Sequence, residues 1–452
     1  MAAGRPLGDP CFGGVPMSIA TAGEDLLGGL IADGIVSRSS ARAPETLWNQ
    51  RFAQRTQRIT ASMIRELLKL TEQPDIISFA GGLPAPEVFP IEEIRAATER
   101  VLRDHGTTAL QYTTTEGYRP LRELLVRHMS RYGVEVKPEN VLVTSGSQQA
   151  LDLIGKLLIN PGDRVLTEAP TYLGALQAFN AYQADYLPVP IDDDGMDVDA
   201  LEEQLRGGPK FVYALPNFQN PAGVTLGMGR RRRLVERAAH YGIPIVEDDP
   251  YGQLRYDGEH LPSLVKLDAE TRGCANGERA FTGNVLYLST LSKTLAPGLR
   301  IAWVVAPEVV VSKLVQIKQG ADLHTSTFCQ YVAYEVAKGG FLDKHVRRIR
   351  TVYGERRDAM LRALDRHAPP AVRWTRPSGG LFLWATLPEG FDTLKLLDEA
   401  IAEKVAFVPG AAFYPCGGGE RTMRLNFSYA APDVIEEGIK RLCRVIEGKI
   451  KS

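Results

Sequence analysis

A short stretch near residue 290 combines one lysine with groups that bind anions. Thr290, Ser292 and Lys293 form a polar turn after an apolar run, and Arg300 follows seven residues later. Hydroxyls give short hydrogen bonds to anions, and a guanidinium grips phosphate with two parallel bonds. A free lysine has a pKa near about 10.4, and a neighbouring arginine lowers it and makes the amine nucleophilic. The stretch therefore indicates an anion pocket that contains a reactive amine, with an ordinary surface turn as the plain alternative.

The elements that must position this turn form an alternating pattern between about residues 95 and 335. We predict strands at 141–143, 164–166, 211–215, 244–246, 285–288 and 301–305, with helical segments between most of them. This alternation is typical of an α/β domain with a largely parallel sheet. Ligands of such sheets bind beyond the carboxyl ends of the strands. The residues with chemical potential follow these strands directly, as a single shared site requires.

Three of these strands are followed by further candidate ligand groups. Ser147 and Gln148 begin an apolar helix, where free backbone amides and the helix dipole favour a phosphate. Tyr172 can stack on a planar ring, and Asn220, fixed before a proline, can donate to an oxygen. Each has a plain alternative, such as a helix cap for the serine or a half-buried position for the tyrosine.

Charged groups complete the set. Asp248 and Asp249 end the predicted strand at 244–246. Carboxylates at strand ends also occur in metal sites, but no histidine or cysteine accompanies these two, so we expect no metal. Arg424 alternates with apolar residues in a predicted strand at 423–427 and could hold a carboxylate by two parallel bonds. A surface arginine is its plain alternative.

Composition limits the class of protein. The chain has 452 residues, enough for two or three domains, and is 44% hydrophobic and 24% charged. A formal net charge of −1 gives no electrostatic case for nucleic acid or an anionic membrane. No stretch approaches the roughly 18 apolar residues of a membrane span. The five cysteines form no CxxC pair or disulfide framework, and no signal peptide is apparent, so we expect a cytoplasmic protein.

The domain boundaries follow from shifts in this pattern. We expect residues 1–45, rich in small residues, to be a flexible extension. Residues 46–95 form an N-terminal helix and arm that belong to a small domain, residues 96–335 form the large domain, and residues 336–452 complete the small α+β domain. The first helix, near 60–70, has an apolar stripe with Arg65 beside it. The Gly81–Gly82 pair that follows allows the backbone to come close to a ligand.

Together these segments resemble the pyridoxal-phosphate (PLP) aminotransferases of the aspartate-aminotransferase fold, also called class I/II or fold type I. The resemblance covers about residues 50–450, and residues 77–86, 109–117 and 318–324 are similar to the kynurenine/2-aminoadipate branch. It implies a large domain with a mostly parallel seven-stranded sheet and a smaller α+β domain. Ala222 departs from the usual Asn-Pro-Thr-Gly motif, which has threonine there, whereas Asn220 is kept.

The resemblance assigns cofactor roles residue by residue. Lys293 matches the Schiff-base lysine, and Asp248 matches the carboxylate that keeps the pyridine nitrogen protonated. The Asp-x-x-Tyr spacing selects Asp248 over Asp249. Tyr172 matches the ring that stacks on the cofactor, and we count it with the catalytic residues. The remaining cofactor-binding positions are Ser147, Gln148, Asn220, Tyr251, Thr290, Ser292 and Arg300.

Substrate and subunit contacts are implied in the same way. Arg424 matches the arginine that binds the substrate α-carboxylate, and Arg65 matches the arginine that recognises an acidic side chain. The substrate-binding positions are Arg424, Arg65, Gly82, Asn220 and Ser62. Tyr112 matches a tyrosine that reaches the phosphate of the partner subunit's cofactor, which implies a homodimer with shared active sites.

The predicted function is therefore transamination. The amino group moves between an L-amino acid (2-aminoadipate, glutamate, aromatic or branched-chain) and a 2-oxo acid such as 2-oxoglutarate, in a ping-pong reaction through pyridoxamine phosphate. The same residues would serve a β-lyase, a decarboxylase or a racemase, because the protein only steers which bond breaks. A non-enzymatic PLP-binding regulator is the alternative from another class. Transcription regulators with this domain carry an added N-terminal winged helix. Here fewer than about 60 residues precede the domain, so we expect no winged helix.

Overall fold

The computed structural model describes residues 48–59, 75–272 and 281–451. The predicted extension at 1–45 and the predicted helix near 60–70, with Arg65 and Ser62, lie outside the described residues. The first strand, β1 (Ile77–Ser78), pairs in parallel with β12 (Val405–Ala406), far along the chain. Short 3₁₀ helices lie at Gln54–Arg58, Pro86–Val88, Pro138–Asn140, Pro297–Leu299 and Gly410–Phe413.

The main sheet has eight strands. They are β2 (Val141–Thr144), β3 (Arg164–Ala169), β4 (Asp185–Asp192), β5 (Gly195–Met196), β6 (Phe211–Ala214), β7 (Ile245–Asp248), β8 (Val285–Thr290) and β9 (Ala302–Val305), in the order β2-β9-β8-β7-β6-β3-β4-β5. Neighbours from β8 through β4 are parallel, whereas β9 is antiparallel to β2 and β8. The mostly parallel α/β fold is therefore confirmed. The eighth strand arises because the two-residue β5 adds an antiparallel edge to β4.

Both faces of this sheet are buried, which explains why its strands are nearly continuous apolar runs. Val285 and Tyr287 of β8 pack into one core, whereas Leu286 and Leu288 pack into the other. Helices cover the two faces: α1 (Ile91–Ala109), α2 (Arg119–Arg131), α3 (Ser147–Leu158), α4 (Leu173–Asn180), α5 (Leu201–Arg206), α6 (Met228–His240), α7 (Leu264–Thr271), α8 (Glu308–Gln319) and α9 (Thr327–Ala337). The sheet is thus a rigid support for the turns at its strand ends.

The C-terminal part of the chain forms a second core around a smaller antiparallel sheet. Its elements are α10 (Phe341–His367), β10 (Arg373–Trp374), β11 (Phe382–Thr386), α11 (Thr393–Ala402), β12, β13 (Val408–Pro409), β14 (Thr422–Asn426) and α12 (Pro432–Lys451). The sheet order is β10-β11-β14-β13. Phe79, next to β1, packs into this core, so the early segment joins the C-terminal part.

Two findings bear on the cellular expectations. Among the described residues, no helix is long and apolar enough to cross a membrane. Cys329 and Cys443 are free, but Cys416 is disulfide-bonded. The sequence was expected to form no disulfide framework, and the bonded Cys416 departs from that expectation.

Candidate active site

Lys293 lies in the turn that follows β8, beyond the carboxyl end of that strand. Its Nζ donates to the carbonyl of Gly82 over 2.8 Å. Burial, followed by the positive charges of Arg424 and Arg300, lowers the pKa of this amine to about 8. The sequence interpretation credited Arg300, but desolvation is the larger cause. A substantial fraction of the amine is therefore neutral near pH 7–8, as a nucleophile and base requires.

Asp248 ends β7 and is nearly fully buried. Its Oδ2 accepts a hydrogen bond from the Tyr213 hydroxyl at 2.8 Å, whereas its Oδ1 is buried without a partner. Burial raises the pKa of the carboxyl to about 7. An unpaired buried oxygen is costly, so this atom needs a donor from a bound group. A protonated ring nitrogen is such a donor.

Asp249, the rival carboxylate, is already engaged elsewhere. Its Oδ1 accepts from Asn217 Nδ2 at 2.9 Å, and its Oδ2 accepts from the Tyr287 hydroxyl at 3.2 Å. Tyr287 packs into the opposite core from Tyr213, the partner of Asp248. Neighbouring residues at a strand end point to opposite faces, so only one of the two can serve a given ligand. The geometry thus agrees with the choice of Asp248.

Ser147 is the first residue of α3, directly after Gly146 with φ of 86°. Its Oγ is buried and has no hydrogen-bond partner. The amides of a first helical turn have no acceptor within the helix, so this hydroxyl and the nearby N–H groups together favour an anion. The side chain of Gln148 donates instead to the carbonyl of Gly174 at 2.7 Å. Its backbone amide and the second hydrogen of its Nε2 remain available to an anion.

Arg300 lies against this helix start. Its backbone is left-handed, with φ of 55°, and its Nη2 donates to the carbonyl of Ser145 at 3.3 Å. A Cβ added to Gly146 would lie 2.1 Å from that Nη2, so a side chain at this position would displace the guanidinium. The hydroxyl of Thr290 lies 2.9 Å from that of Ser292 and donates to the Ile301 carbonyl at 3.0 Å. We call this helix start, with Arg300 and Ser292, the anion cradle.

Tyr172 immediately precedes α4 and is half-buried. A Cβ on Gly174 would lie 2.5 Å from its Cζ, so the glycine lets the ring lie against the backbone. Burial, together with the nearby charge of Asp248, raises the pKa of the phenol to about 12. The phenol therefore stays protonated.

The small-sheet side of the site centres on Arg424 of β14, which is only 1% exposed. Its Nη1 donates to Asn220 Oδ1 at 2.9 Å, its Nη2 donates to the Ala80 carbonyl at 2.7 Å, and its Nε is buried without a partner. Burial lowers its pKa to about 10, so it keeps its charge at neutral pH. Asn220 Nδ2 also approaches the Tyr251 hydroxyl at 3.5 Å. The Arg424 guanidinium therefore still has capacity for an anion.

Sequence reasoning missed three residues that shape this site. Phe382 and Phe413 stack on the Arg424 guanidinium, with ring centroids 4.3 and 5.1 Å from its Cζ. Tyr213 donates to Asp248. A tyrosine within the apolar run of β6 was the available signal, because a buried hydroxyl usually has a partner. The two phenylalanines gave no signal, because their role depends on tertiary contacts.

Tyr112 is on the surface, with 76% of its area exposed. Its ring meets the edge of His324, with centroids 5.7 Å apart. Arg65 and Ser62 lie outside the described residues. Most other predicted positions lie at or after strand ends of the main sheet, whereas Gly82 follows β1 and Arg424 lies in β14.

The unpaired buried atoms provide a test of the expected cofactor. Ser147 Oγ, Asp248 Oδ1 and Arg424 Nε are an anion-binding hydroxyl, a carboxylate and a guanidinium. PLP with an amino acid carries a phosphate, a ring nitrogen and a carboxylate, and a lysine must be free to bond its aldehyde. The residues present therefore fit the cofactor.

A lysine of lowered pKa after β8, the anion cradle and a buried carboxylate at the end of β7 are the features of a PLP-dependent enzyme of the aspartate-aminotransferase fold. The chain belongs to the family "Aminotransferase class I and II", whose model matches residues 75–446. It is a PLP-dependent aminotransferase that acts on an amino acid and a 2-oxo acid.

Named relatives and solved structures agree on the class. The aromatic-amino-acid aminotransferase 1 of Thermococcus litoralis is 48% identical over 92% of this chain and 98% of its own length. The 2-aminoadipate transaminase of Thermus thermophilus is 48% identical over 89% of this chain and 98% of its own. The crystal structure of a Pyrococcus horikoshii kynurenine aminotransferase has a TM-score of 0.83 and 47% identity, covering 90% of this chain and 99% of that one.

Proposed function

We propose that the enzyme transfers amino groups from 2-aminoadipate, glutamate, and aromatic or branched-chain amino acids to 2-oxoglutarate or a similar 2-oxo acid. Lys293 is the residue that bonds the cofactor, Asp248 holds the proton on its ring nitrogen, and Tyr172 stacks on its ring. The phosphate is bound by the anion cradle. The remaining cofactor contacts in this proposal are Asn220 and Tyr251, which face the ring oxygen.

The partly satisfied guanidinium of Arg424, with Nη1 and Nη2 bonded and Nε free, is the observation that carries this proposal. The Nε of Arg424 is buried without a partner, and two aromatic rings stack on the guanidinium group. A buried charge of this kind is stabilised when a carboxylate binds it with two parallel bonds. Every α-amino acid and 2-oxo acid has that carboxylate, so Arg424 serves both halves of the reaction.

The chain's own part in the chemistry is proton movement by Lys293. When bound, PLP withdraws electrons from the substrate Cα and so weakens its C–H bond. The Lys293 amine, with a pKa lowered to about 8, would take the substrate Cα proton as a base and would then deliver it as an acid. The Gly82 carbonyl, 2.8 Å from Nζ, orients the amine.

The breadth of substrates is supported by the names of the relatives. One is named for aromatic amino acids and another for 2-aminoadipate, and a structure of the Thermus thermophilus α-aminoadipate aminotransferase contains a phosphopyridoxyl-leucine. We propose that Arg65 and Ser62, which lie outside the described residues, take part in binding acidic side chains.

We also propose a homodimer in which Tyr112 reaches the partner's cofactor. The support is the exposure of Tyr112 together with that of Leu110, which is 71% exposed. Large apolar side chains exposed together commonly mark an interface. The proposed domains are 96–335 and, joined by the β1–β12 pairing, 46–95 with 336–452. A cytoplasmic location is part of the proposal.

A substrate panel tests this function. Purified enzyme with PLP is assayed with 2-aminoadipate, glutamate, kynurenine, phenylalanine, leucine and lysine, each against 2-oxoglutarate and pyruvate. We expect kcat/KM to be highest for the acidic and aromatic donors with 2-oxoglutarate, and parallel double-reciprocal plots from ping-pong kinetics. A preference for lysine, or intersecting plots, would contradict the proposal.

A further inference from the structure

One buried lysine takes no part in the reaction described above. Lys318, near the end of α8, has a fully buried side chain. Its Nζ donates to both carboxylate oxygens of Asp322, at 2.7 and 2.9 Å, and to Gln149 Oε1 at 2.7 Å. Burying a charge is costly unless its hydrogen bonds are satisfied, and here three of them are. The ion pair is therefore well ordered, although it takes no part in the reaction described above.

Asp322 connects this pair to the anion cradle. Its Oδ2 also accepts from Ser145 Oγ at 2.8 Å, while Gln149 Oε1 accepts from the Ser145 amide at 2.8 Å. The Ser145 carbonyl in turn accepts from Arg300. Ser145 is thus held at its side chain, its amide and its carbonyl. It directly precedes Gly146 and Ser147, so the start of α3 cannot shift without breaking these bonds.

The same loop continues toward the exposed tyrosine. We call residues 320–327 the bridging loop. Thr327 Oγ1 donates to the Gln111 carbonyl at 3.0 Å, next to Tyr112, and the His324 ring packs edge-on against the Tyr112 ring. The bridging loop therefore contacts the cradle through Asp322 and the Tyr112 segment through its last residues.

The backbone of the bridging loop is held in an uncommon conformation. Leu323 has φ of 65°, a left-handed value that is rare for side chains other than glycine. Its amide donates to the Lys318 carbonyl at 3.2 Å. Such conformations persist where surrounding contacts over-determine them. The Lys318–Asp322 pair, which closes the turn just before Leu323, is one such contact.

We propose that Lys318, Asp322 and Ser145 form a positioning cluster that holds the cradle of one subunit and the Tyr112 segment offered to the partner as one rigid unit. This inference rests on the proposed function, because it assumes PLP in the cradle and Tyr112 at the partner's phosphate. It follows that one cluster supports phosphate binding in two active sites.

The first test compares PLP with pyridoxal, which lacks the phosphate. Affinities of the apoenzyme for both are measured by absorbance titration for Asp322→Asn and for the milder Ser145→Ala. A matched control is Lys313→Met, an exposed lysine on the same helix that bonds Gln316. We expect the PLP Kd to rise about tenfold in Asp322→Asn and severalfold in Ser145→Ala. The pyridoxal Kd should stay within about twofold, and the control should match the wild type.

Two results would overturn the inference. If the variants lose affinity for PLP and pyridoxal equally, the substitutions cause general structural damage. If PLP affinity is unchanged in both variants, the cluster does not position the anion cradle. The wild type separates this failure from that of the proposed function. If wild-type enzyme binds PLP no better than pyridoxal, the phosphate cradle itself is wrong. If it prefers PLP and the variants do too, only the positioning cluster is wrong.

Mixed dimers test the partner contribution. One subunit carries Lys293→Ala, so only the other subunit gives the absorbance of lysine-bound cofactor. Asp322→Asn is then placed either in the absorbing subunit or in its partner. We expect weaker PLP binding at the absorbing site in both placements. An effect confined to placement in the absorbing subunit would overturn the claim that the cluster acts across the interface.

Discussion

The two walls of the active site are built at different kinds of position. On the wall of the large sheet, Lys293, Asp248 and Ser147 lie in turns or at strand ends, supported by a sheet that is buried on both faces. On the wall of the small sheet, Arg424 lies inside β14 and is held by residues far along the chain, such as Ala80 and Asn220. One wall depends on local turns, and the other on tertiary contacts.

This difference corresponds to a division of chemical work. The large-sheet wall offers the low-pKa amine and the unpaired carboxylate oxygen, which act on the cofactor. The small-sheet wall offers a guanidinium whose Nε has no partner, which suits the substrate carboxylate. Substitutions on the large-sheet wall should therefore reduce kcat for every substrate. Substitutions on the small-sheet wall should lower kcat/KM mainly by raising KM.

The largest effect is expected for Lys293→Ala. Turnover should be lost because no other described residue occupies the position of the Lys293 amine. Circular dichroism should show that the fold stays intact. Borohydride reduction of the wild-type holoenzyme should fix the cofactor to the peptide that contains Lys293. Labelling of a different lysine would show that Lys293 does not bond the cofactor.

Asp248→Ala should retain PLP and react slowly. Removing the partner of a buried charge costs about 3–5 kcal/mol, and each 1.36 kcal/mol is roughly tenfold. We therefore expect kcat to fall about a hundredfold or more, with Asp248→Asn equally impaired because it removes the charge. Rates within about threefold of wild type would mean that another group protonates the ring.

Arg424→Lys tests the other wall. Lysine keeps the charge but loses the planar fork, so kcat/KM should fall about a hundredfold for acidic and apolar amino acids alike. The control is Arg421→Lys, an exposed arginine three residues earlier in the chain. A loss of kcat with unchanged KM would show that the two walls do not divide the work in this way.

Arg65→Ala should separate substrates rather than steps. Losing one charge-assisted contact of roughly 1.5–3 kcal/mol should cut kcat/KM for 2-aminoadipate about ten- to a hundredfold and spare leucine. Arg55→Ala, at an exposed arginine, serves as the control. Equal losses for both substrates would put Arg65 outside the substrate pocket.

The smallest effect is expected for Tyr213→Phe. The variant removes the 2.8 Å hydrogen bond to Asp248 Oδ2 and leaves the carboxylate in place. A loss of about tenfold in kcat follows from one hydrogen bond to a charged group. Tyr186→Phe removes another buried tyrosine hydroxyl, bonded to Asn180, and should leave kcat unchanged. A Tyr213→Phe rate equal to wild type would show that the Tyr213 hydrogen bond is not needed to position Asp248.

The sequence predicted the parts of the fold that have strong local signals. Strands such as 141–143 and 285–288 are apolar runs that end in polar turns, and the structure has β2 and β8 there. It did not predict β4, in which Pro188 and Pro190 interrupt the strand pattern at the sheet margin. The edge strand β5 has only two residues and no pattern to recognise.

The candidate site divides in the same way. The turns that carry Ser147, Asp248 and Lys293 could be found from short motifs. Tyr213, Phe382 and Phe413 could not be found, because each acts through a side chain that is distant in sequence. The cause of the lowered Lys293 pKa was also hidden, since burial depends on the whole fold.

The central claim is that Lys293 and its surroundings perform transamination, and a single turnover tests it most directly. Holoenzyme is mixed with 2-aminoadipate in the absence of any 2-oxo acid, and absorbance and products are followed. The account predicts that the band of lysine-bound cofactor converts to that of pyridoxamine phosphate, with one 2-oxoadipate released per site. Release of carbon dioxide or ammonia, or an unchanged spectrum with no 2-oxo acid, would contradict it.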